Sequence, residues 1–116
     1  ALKDLIITPD IHNRKQRMAA LSDAVIALPG GCGTFEELLE IITWKQLGLY
    51  LNPIIILNTD GYYDPLIEML DRATDEYFMR PEHRAMWCAA KTPQEAIDTL
   101  YSAPEWDGKL CKLAVI

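Results

Sequence analysis

A glycine-rich stretch in the first third of the chain contains residue types that can hold an anion. Gly30, Gly31 and Gly33 lie within four positions and are followed directly by Thr34. Glycine allows a sharp turn and lets another group approach the main chain closely. If a helix starts here, its free N–H groups and its dipole favour a phosphate. The stretch therefore predicts an anion site, and the alternative is a tight strand-to-helix turn that binds no ligand.

The spacing of these glycines differs from the two common phosphate-binding loops. A P-loop requires a lysine immediately before the Ser or Thr, whereas Gly33 precedes Thr34 here. The dinucleotide fingerprint is G-x-G-x-x-G, whereas this stretch reads G-G-x-G-T. The motif therefore indicates a phosphate without indicating either of those two ligand classes.

Glu37 is a candidate for chemistry and also for a purely structural role. Thr34 and Glu37 form a T-x-x-E pattern, which predicts a capping box at the start of the helix. A threonine cap contributes about 1 kcal/mol to helix stability. The alternative is that Glu37 places a carboxylate one turn into the helix, beside the anion site.

The elements that must position these residues follow from hydrophobic patterning. The apolar run at residues 24–28 predicts a buried strand, and the periodic segment 35–47 predicts a helix. Further strands are predicted at residues 5–8, 53–57 and 86–90, the last at a sheet edge, and further helices at 11–21, 63–77 and from a Thr92 capping box to about 101. Strands that alternate with helices predict an α/β fold, a Rossmann-like doubly wound parallel sheet. Ligands bind such sheets outside the carboxyl ends of the strands.

The helix predicted at residues 11–21 carries a basic cluster. Arg14, Arg17 and Met18 share one face by the i, i+3, i+4 rule. An arginine there can hold a phosphate or carboxylate through two hydrogen bonds. The alternative for this cluster is a solvated helix face.

Two motifs in these regions resemble signatures of the Lonely Guy (LOG) family. Residues 29–37 match its P-G-G-x-G-T-x-x-E signature, and residues 10–18 are similar to its D-M-H-x-R-K-x-x-M run. The likeness extends from about residue 5 to residue 97. Members are cytokinin riboside 5'-monophosphate phosphoribohydrolases, often mislabelled lysine decarboxylases. The resemblance implies hydrolysis of the N-glycosidic bond of a nucleoside 5'-monophosphate, such as AMP, to a free base and ribose 5-phosphate.

The resemblance also implies roles for individual residues. Arg14 and Glu37 correspond to the catalytic pair of the family. The residues expected to bind substrate are Lys15, Gly30, Gly31, Gly33 and Thr34. No metal and no cofactor are expected. Cys32 occupies a position that is commonly aromatic in the family, and we expect it to fill a small space in the loop.

The extent of the chain and the helix after the glycines indicate how the protein is organised. Residues 1–116 are expected to form a single domain, the C-terminal part of a longer LOG-type fold that lacks its N-terminal half here. The helix at 35–47 is apolar on two sides, so one side is expected to face the sheet. The other side faces either a second subunit in a homodimer, as the resemblance implies, or a preceding half domain.

Two other functions are compatible with the same scaffold. The first is a non-catalytic nucleotide-binding or sensor protein, because a fold does not determine a function. The second is amino-acid decarboxylation through pyridoxal phosphate, which requires a Schiff-base lysine in a cofactor pocket. Lys15 is the lysine nearest to the predicted site, and it shares a helix with the arginines.

Composition narrows the class of partner and the compartment. A net charge of −6 and a pI near 4.8 argue against nucleic acid or an anionic membrane as partner. Three cysteines and two histidines show no zinc-binding spacing. No apolar run approaches the roughly 18 residues of a membrane span. We therefore expect a cytoplasmic protein without disulfides that acts on a small molecule.

Overall fold

The described part of the chain is a parallel three-stranded sheet with helices between the strands. The structure is a computed structural model, and it describes residues 23–102. The strands are β1 (Val25–Ala27), β2 (Ile54–Leu57) and β3 (Cys88–Ala90). The helices are α1 (Cys32–Gln46), α2 (Asp64–Asp75) and α3 (Pro93–Ser102), with short 3-10 helices at Thr59–Gly61 and Pro81–Met86. The strand order is β1-β2-β3, so all three carboxyl ends lie at one edge of the sheet.

The central strand β2 supplies the core on both faces of the sheet. Ile54 and Ile56 pack into a cluster with side chains of α1 and α2, while Ile55 and Leu57 pack against Ala96 of α3. All four strand residues are buried, and full burial of each such side chain contributes about 1.5–3 kcal/mol. Helices therefore cover both faces, which confirms the predicted doubly wound α/β fold.

The helix boundaries differ from the prediction where tertiary contacts decide them. Helix α1 begins at Cys32, three residues earlier than predicted. Helix α2 is shorter than the predicted 63–77, since it begins at Asp64 and ends at Asp75. Just beyond α2, Tyr77 has a φ of +66°, a left-handed conformation that cannot continue a helix. Helix α3 begins at Pro93 as predicted, and Thr92 Oγ1 accepts a hydrogen bond from the Glu95 N–H at 3.1 Å.

Strand β3 is shorter than the predicted 86–90. Met86 ends the 3-10 helix Pro81–Met86 instead of starting the strand. An ion-pair cluster fixes that 3-10 helix to α2, because the Arg84 guanidinium binds the Asp71 carboxylate at 3.2 Å and the Asp75 carboxylate at 2.5 Å. Within the described sheet β3 pairs with β2 alone, so the prediction of an edge strand is confirmed for this part of the fold.

Several predictions fall on residues that the structure does not describe. The strand at residues 5–8 and the helix at 11–21 lie outside the described residues, as does the stretch from residue 103 onward. Between residues 23 and 102, no helix has the length and the apolar character needed to cross a membrane.

Candidate active site

The glycine-rich stretch lies between β1 and α1, at the carboxyl edge of the sheet. The first main-chain hydrogen bond of α1 runs from the Phe35 N–H to the Gly31 carbonyl at 3.0 Å. The N–H groups of Cys32, Gly33 and Thr34 precede that bond, so helix geometry leaves them without an acceptor inside the helix. This arrangement of free N–H groups at the positive end of the helix dipole can bind an anion.

The predicted capping box of Thr34 and Glu37 is wrong. Gly31 is the N-cap, with extended φ and ψ of −108° and −150° and no side-chain capping bond. Thr34 is the third residue of the helix and Glu37 the sixth. This early start brings Thr34 close to Gly30, where a Cβ would lie 2.3 Å from Thr34 Oγ1, so the observed conformation fits a residue without a side chain at position 30. Neither Thr34 nor Glu37 is therefore used as a cap.

Helix periodicity places Glu37 on the same face as the anion-binding residues. Glu37 follows Thr34 by three positions and Gly33 by four, and residues at these spacings are neighbours on a helix surface. One helical turn advances about 5.4 Å. The Glu37 side chain is exposed. An exposed carboxylate thus stands about one turn beyond the free N–H groups.

Gly31 and Gly33 border open space. Apart from the glycine itself, its two chain neighbours and the adjacent helix backbone, no heavy atom of the described residues lies within 4 Å of the position that a Cβ would take on either residue. Gly33 is a residue of α1, and the Cα–Cβ direction of a helical residue tilts toward the helix N-terminus, so the space beside Gly33 lies toward the end that carries the free N–H groups.

Five of the seven predicted site residues are therefore brought together. These are Gly30, Gly31, Gly33, Thr34 and Glu37. Arg14 and Lys15 lie outside the described residues, so their roles stay predictions.

The segment after β2 contributes contacts to the glycine loop that sequence reasoning missed. The hydroxyl of Tyr63 donates a hydrogen bond to the Leu28 carbonyl, and that of Tyr62 donates to the Gly30 carbonyl. Burial raises the pKa of Tyr63, so its hydroxyl stays protonated and able to donate. The available signal is the Tyr-Tyr pair just after a strand and a turn, whereas the sequence pattern places Tyr63 only at the start of the predicted helix 63–77.

A compact turn fixes these tyrosines in place. Asn58 Oδ1 accepts a hydrogen bond from the Tyr63 N–H at 2.6 Å, and Asn58 Nδ2 donates to Asp64 Oδ1 at 2.7 Å. Gly61 has a φ of +71°, and a Cβ there would lie 2.6 Å from Asp64 Oδ2. The Asn58 side chain thus holds the turn through Tyr63 and Asp64, and the two tyrosines directly follow this turn.

His83 and Cys32 are two further residues of the described part whose side chains could take part in chemistry. His83 is buried, and its Nδ1 accepts a hydrogen bond from the Arg80 N–H at 3.1 Å. Burial lowers its pKa, so it is neutral at pH 7.

Cys32 is exposed at the start of α1, so the expectation that it fills a small space is wrong. Within residues 23–102, no group of three or more His, Cys, Asp or Glu side chains is arranged to hold a metal ion.

Lys45 is the buried lysine of the described residues, and it lies away from the glycine loop. Its side chain is 3% exposed, and Nζ donates a hydrogen bond to the Asn52 carbonyl at 2.8 Å. Burial lowers its pKa. Lys45 is near the end of α1, about 20 Å along the axis from Cys32 at roughly 1.5 Å per residue. Its position therefore gives no support to a Schiff-base lysine beside the anion site.

Known proteins are similar to this chain over most of its length. The family model described as "Possible lysine decarboxylase" matches residues 1–100. The probable cytokinin riboside 5'-monophosphate phosphoribohydrolase LOGL2 of Oryza sativa subsp. japonica is 54% identical over 91 residues, which cover 78% of this chain and 37% of that protein. The cytokinin riboside 5'-monophosphate phosphoribohydrolase LOG5 of Arabidopsis thaliana is 44% identical over 110 residues, covering 94% and 48% of the two chains.

A second relative from Arabidopsis thaliana is similar to this chain to a comparable extent. The cytokinin riboside 5'-monophosphate phosphoribohydrolase LOG7 is 48% identical over 105 residues, covering 90% of this chain and 48% of its own length. The chain thus spans less than half the length of these three curated relatives. The match of the family model to most of the chain agrees with the resemblance seen in the two signatures. The chain belongs to the LOG family.

Proposed function

We propose that the protein containing this chain hydrolyses the N-glycosidic bond of a nucleoside 5'-monophosphate. The observation that carries the proposal is the position of Glu37, one turn into the helix whose free N–H groups follow the glycine loop. The proposal is also supported by the relatives, which are named as cytokinin riboside 5'-monophosphate phosphoribohydrolases.

The substrate phosphate binds at the start of α1. The N–H groups of Cys32, Gly33 and Thr34 donate to its oxygens, and the Thr34 hydroxyl adds a further donor. Hydrogen bonds to an ionised acceptor are worth about 1.5–3 kcal/mol each, so a small number of them can anchor a nucleotide. The ribose then extends along the helix toward Glu37.

Glu37 acts where positive charge develops. As the bond between C1' and the base nitrogen breaks, the sugar acquires oxocarbenium character, and a nearby carboxylate stabilises that charge. Water forms the new bond at C1' as the bond to the base nitrogen breaks, and Glu37 takes one proton from that water. The same proton is then returned through solvent to the departing base nitrogen, so that one water is consumed and Glu37 is regenerated as a carboxylate. Arg14 is assigned by the LOG motif to the same reaction, either as a phosphate ligand or as a group that orients Glu37 and the base.

The substrate we propose is AMP or a prenylated AMP, and the protein is proposed to act as a cytoplasmic homodimer. Helix α1 supports a dimer because its sheet-facing side chains are buried whereas Leu39 and Leu47 are 39% and 44% exposed. Light scattering of the full-length protein measures the subunit number directly, and a monomeric mass under assay conditions would contradict the dimer.

Base release from three compounds tests the function. The full-length protein is incubated with AMP, isopentenyladenosine monophosphate and adenosine, and free base and ribose 5-phosphate are quantified. We expect equal amounts of base and ribose 5-phosphate from at least one monophosphate and no base from adenosine, which has no phosphate to anchor. Tight binding of AMP without release would instead favour a sensor. Equal release from adenosine would show that the glycine loop is not needed.

A further inference from the structure

Two adjacent tyrosines from the end of β2 hold two carbonyl groups of the loop after β1. The Tyr62 hydroxyl donates to the Gly30 carbonyl at 2.5 Å, and the Tyr63 hydroxyl donates to the Leu28 carbonyl at 2.5 Å. The partners are 32 and 35 residues apart in the chain. Each of these two carbonyl groups therefore has a hydrogen-bond donor that comes from a different segment of the chain.

The two hydrogen bonds act on peptide groups of different kinds. The Leu28 carbonyl belongs to the peptide that joins Leu28 to Pro29, and proline has no N–H. The Gly30 carbonyl belongs to the peptide that joins Gly30 to Gly31, and Gly31 has an N–H. Because a trans peptide is planar, its C=O and N–H point in opposite directions. When Tyr62 holds the Gly30 carbonyl, it also sets the direction of the Gly31 N–H.

We propose that Tyr62 is a positioning residue of the phosphate site, which orients the Gly31 N–H toward the substrate phosphate. This inference rests on the proposed function, because it concerns the phosphate site assigned there. Gly31 is the N-cap of α1, so its N–H adjoins the free N–H groups of Cys32, Gly33 and Thr34. A donor whose direction is fixed before binding needs no reorganisation when the anion arrives.

The surroundings of the two tyrosines allow their roles to be separated. Tyr63 is 1% exposed and its ring packs in the core, whereas Tyr62 is 48% exposed. The Tyr62 ring contacts the Tyr63 ring edge-on, with centroids 5.1 Å apart. Phenylalanine preserves this ring contact, so Tyr62→Phe removes the hydroxyl alone. Tyr63→Phe is the matched control, because it removes an equivalent hydrogen bond from the peptide that joins Leu28 to Pro29, which has no N–H whose direction could change.

The experiment compares both variants with wild type in the full-length protein. Dissociation constants for AMP and inorganic phosphate are measured by calorimetry, KM and kcat by base release, and stability by denaturant unfolding. Loss of one oriented donor is expected to raise the dissociation constants and KM of Tyr62→Phe roughly three- to tenfold. Its kcat is expected to stay within about twofold, because the position of Glu37 is unchanged. Tyr63→Phe is expected to lower stability, with affinities within about twofold of wild type.

The amide resonance of Gly31 gives a second, direct readout. In a ¹H–¹⁵N spectrum we expect inorganic phosphate to shift this resonance in wild type and in Tyr63→Phe, and to shift it less in Tyr62→Phe at the same phosphate concentration. A merely structural hydroxyl would not affect the Gly31 response selectively. An unchanged affinity and an unchanged Gly31 response in Tyr62→Phe would overturn the inference, as would an equal loss of affinity in both variants.

Failure of this inference can be distinguished from failure of the proposed function. If wild type hydrolyses AMP and Tyr62→Phe binds phosphate equally well, the positioning role is wrong and the function stands. If wild type binds AMP without hydrolysis and Tyr62→Phe binds it more weakly, the positioning role stands and the function is wrong. If wild type binds neither AMP nor phosphate, both are wrong.

Discussion

Two glycines of the loop, Gly30 and Gly33, should respond differently to the addition of one methyl group. A Cβ on Gly30 would lie 2.3 Å from Thr34 Oγ1 and 2.9 Å from Thr34 Cβ, closer than non-bonded atoms approach. Apart from Gly33 itself, its two chain neighbours and the adjacent helix backbone, a Cβ on Gly33 would meet no heavy atom of the described residues within 4 Å. Gly30→Ala therefore perturbs the fold, whereas Gly33→Ala perturbs only the space in front of the helix.

The expected magnitudes follow from these contacts. Forcing a side chain into occupied space costs about 1–3 kcal/mol, so Gly30→Ala should lower the free energy of unfolding by that amount. Gly33 is the second residue of α1, and replacing a helical glycine by alanine is favourable by up to about 1 kcal/mol. Because the second position is at the helix end, we expect a gain of roughly 0.5 kcal/mol for Gly33→Ala.

The effect of Gly33→Ala on binding should have the opposite sign to its effect on stability. The new methyl occupies the space in front of the N–H groups, so the phosphate loses at least one charge-assisted hydrogen bond. Such a bond is worth about 1.5–3 kcal/mol, which corresponds to a loss of affinity for AMP of about tenfold or more. A more stable protein with weaker nucleotide binding is the signature of a glycine retained for a ligand.

Denaturant unfolding and calorimetric titration with AMP measure both quantities on wild type, Gly30→Ala and Gly33→Ala. Retention of wild-type AMP affinity by Gly33→Ala would refute the placement of the phosphate. Wild-type stability of Gly30→Ala would refute the close contact with Thr34.

Three further predictions concern the residues that support the site. Burial lowers the pKa of His83 below 6.5, so the unfolded state binds the proton more tightly than the folded state does. The free energy of unfolding should therefore fall as the pH drops below 6.5, with a slope of at most about 1.4 kcal/mol per pH unit. In unfolding curves measured at several pH values, His83→Gln should remove this part of the slope. Asn58→Asp keeps the acceptor for the Tyr63 N–H but places a second carboxylate beside that of Asp64. The free energy of unfolding should therefore fall by about 1–2 kcal/mol at pH 7, and by less at acidic pH. An unchanged stability would contradict the role of this turn. Thr92→Ala removes the N-cap of α3 and should lower the free energy of unfolding by about 1 kcal/mol, while Thr92→Ser should restore most of it.

The fold could be predicted from sequence because its signals are local. The run Ile54–Leu57 is apolar at every position, which is typical of a strand covered on both faces, and all four side chains are buried. The Thr-Pro sequence that opens α3 has a similarly local signal, since threonine caps and proline fits the first turn. Local propensity and tertiary packing agree at these positions.

The details of the site could not be predicted by the same rules. The T-x-x-E pattern at Thr34 has the local signature of a cap, but α1 starts three residues earlier, in a conformation that fits a residue without a side chain at position 30. The contacts of Tyr62 and Tyr63 with the glycine loop join residues more than 30 positions apart. Such contacts depend on β1 and β2 being neighbours, so a pattern read along the chain does not reveal them.

The most direct test of the proposed mechanism is the loss of hydrolysis when one carboxylate is neutralised. Glu37→Gln keeps the shape of an exposed side chain, and Glu68→Gln is a matched control on α2, also exposed. With AMP or isopentenyladenosine monophosphate, whichever wild type hydrolyses faster, kcat of Glu37→Gln should fall about 10²–10⁴-fold while nucleotide affinity stays within about threefold. The control should keep wild-type kcat. Comparable kcat values for Glu37→Gln and Glu68→Gln would contradict the catalytic role of Glu37.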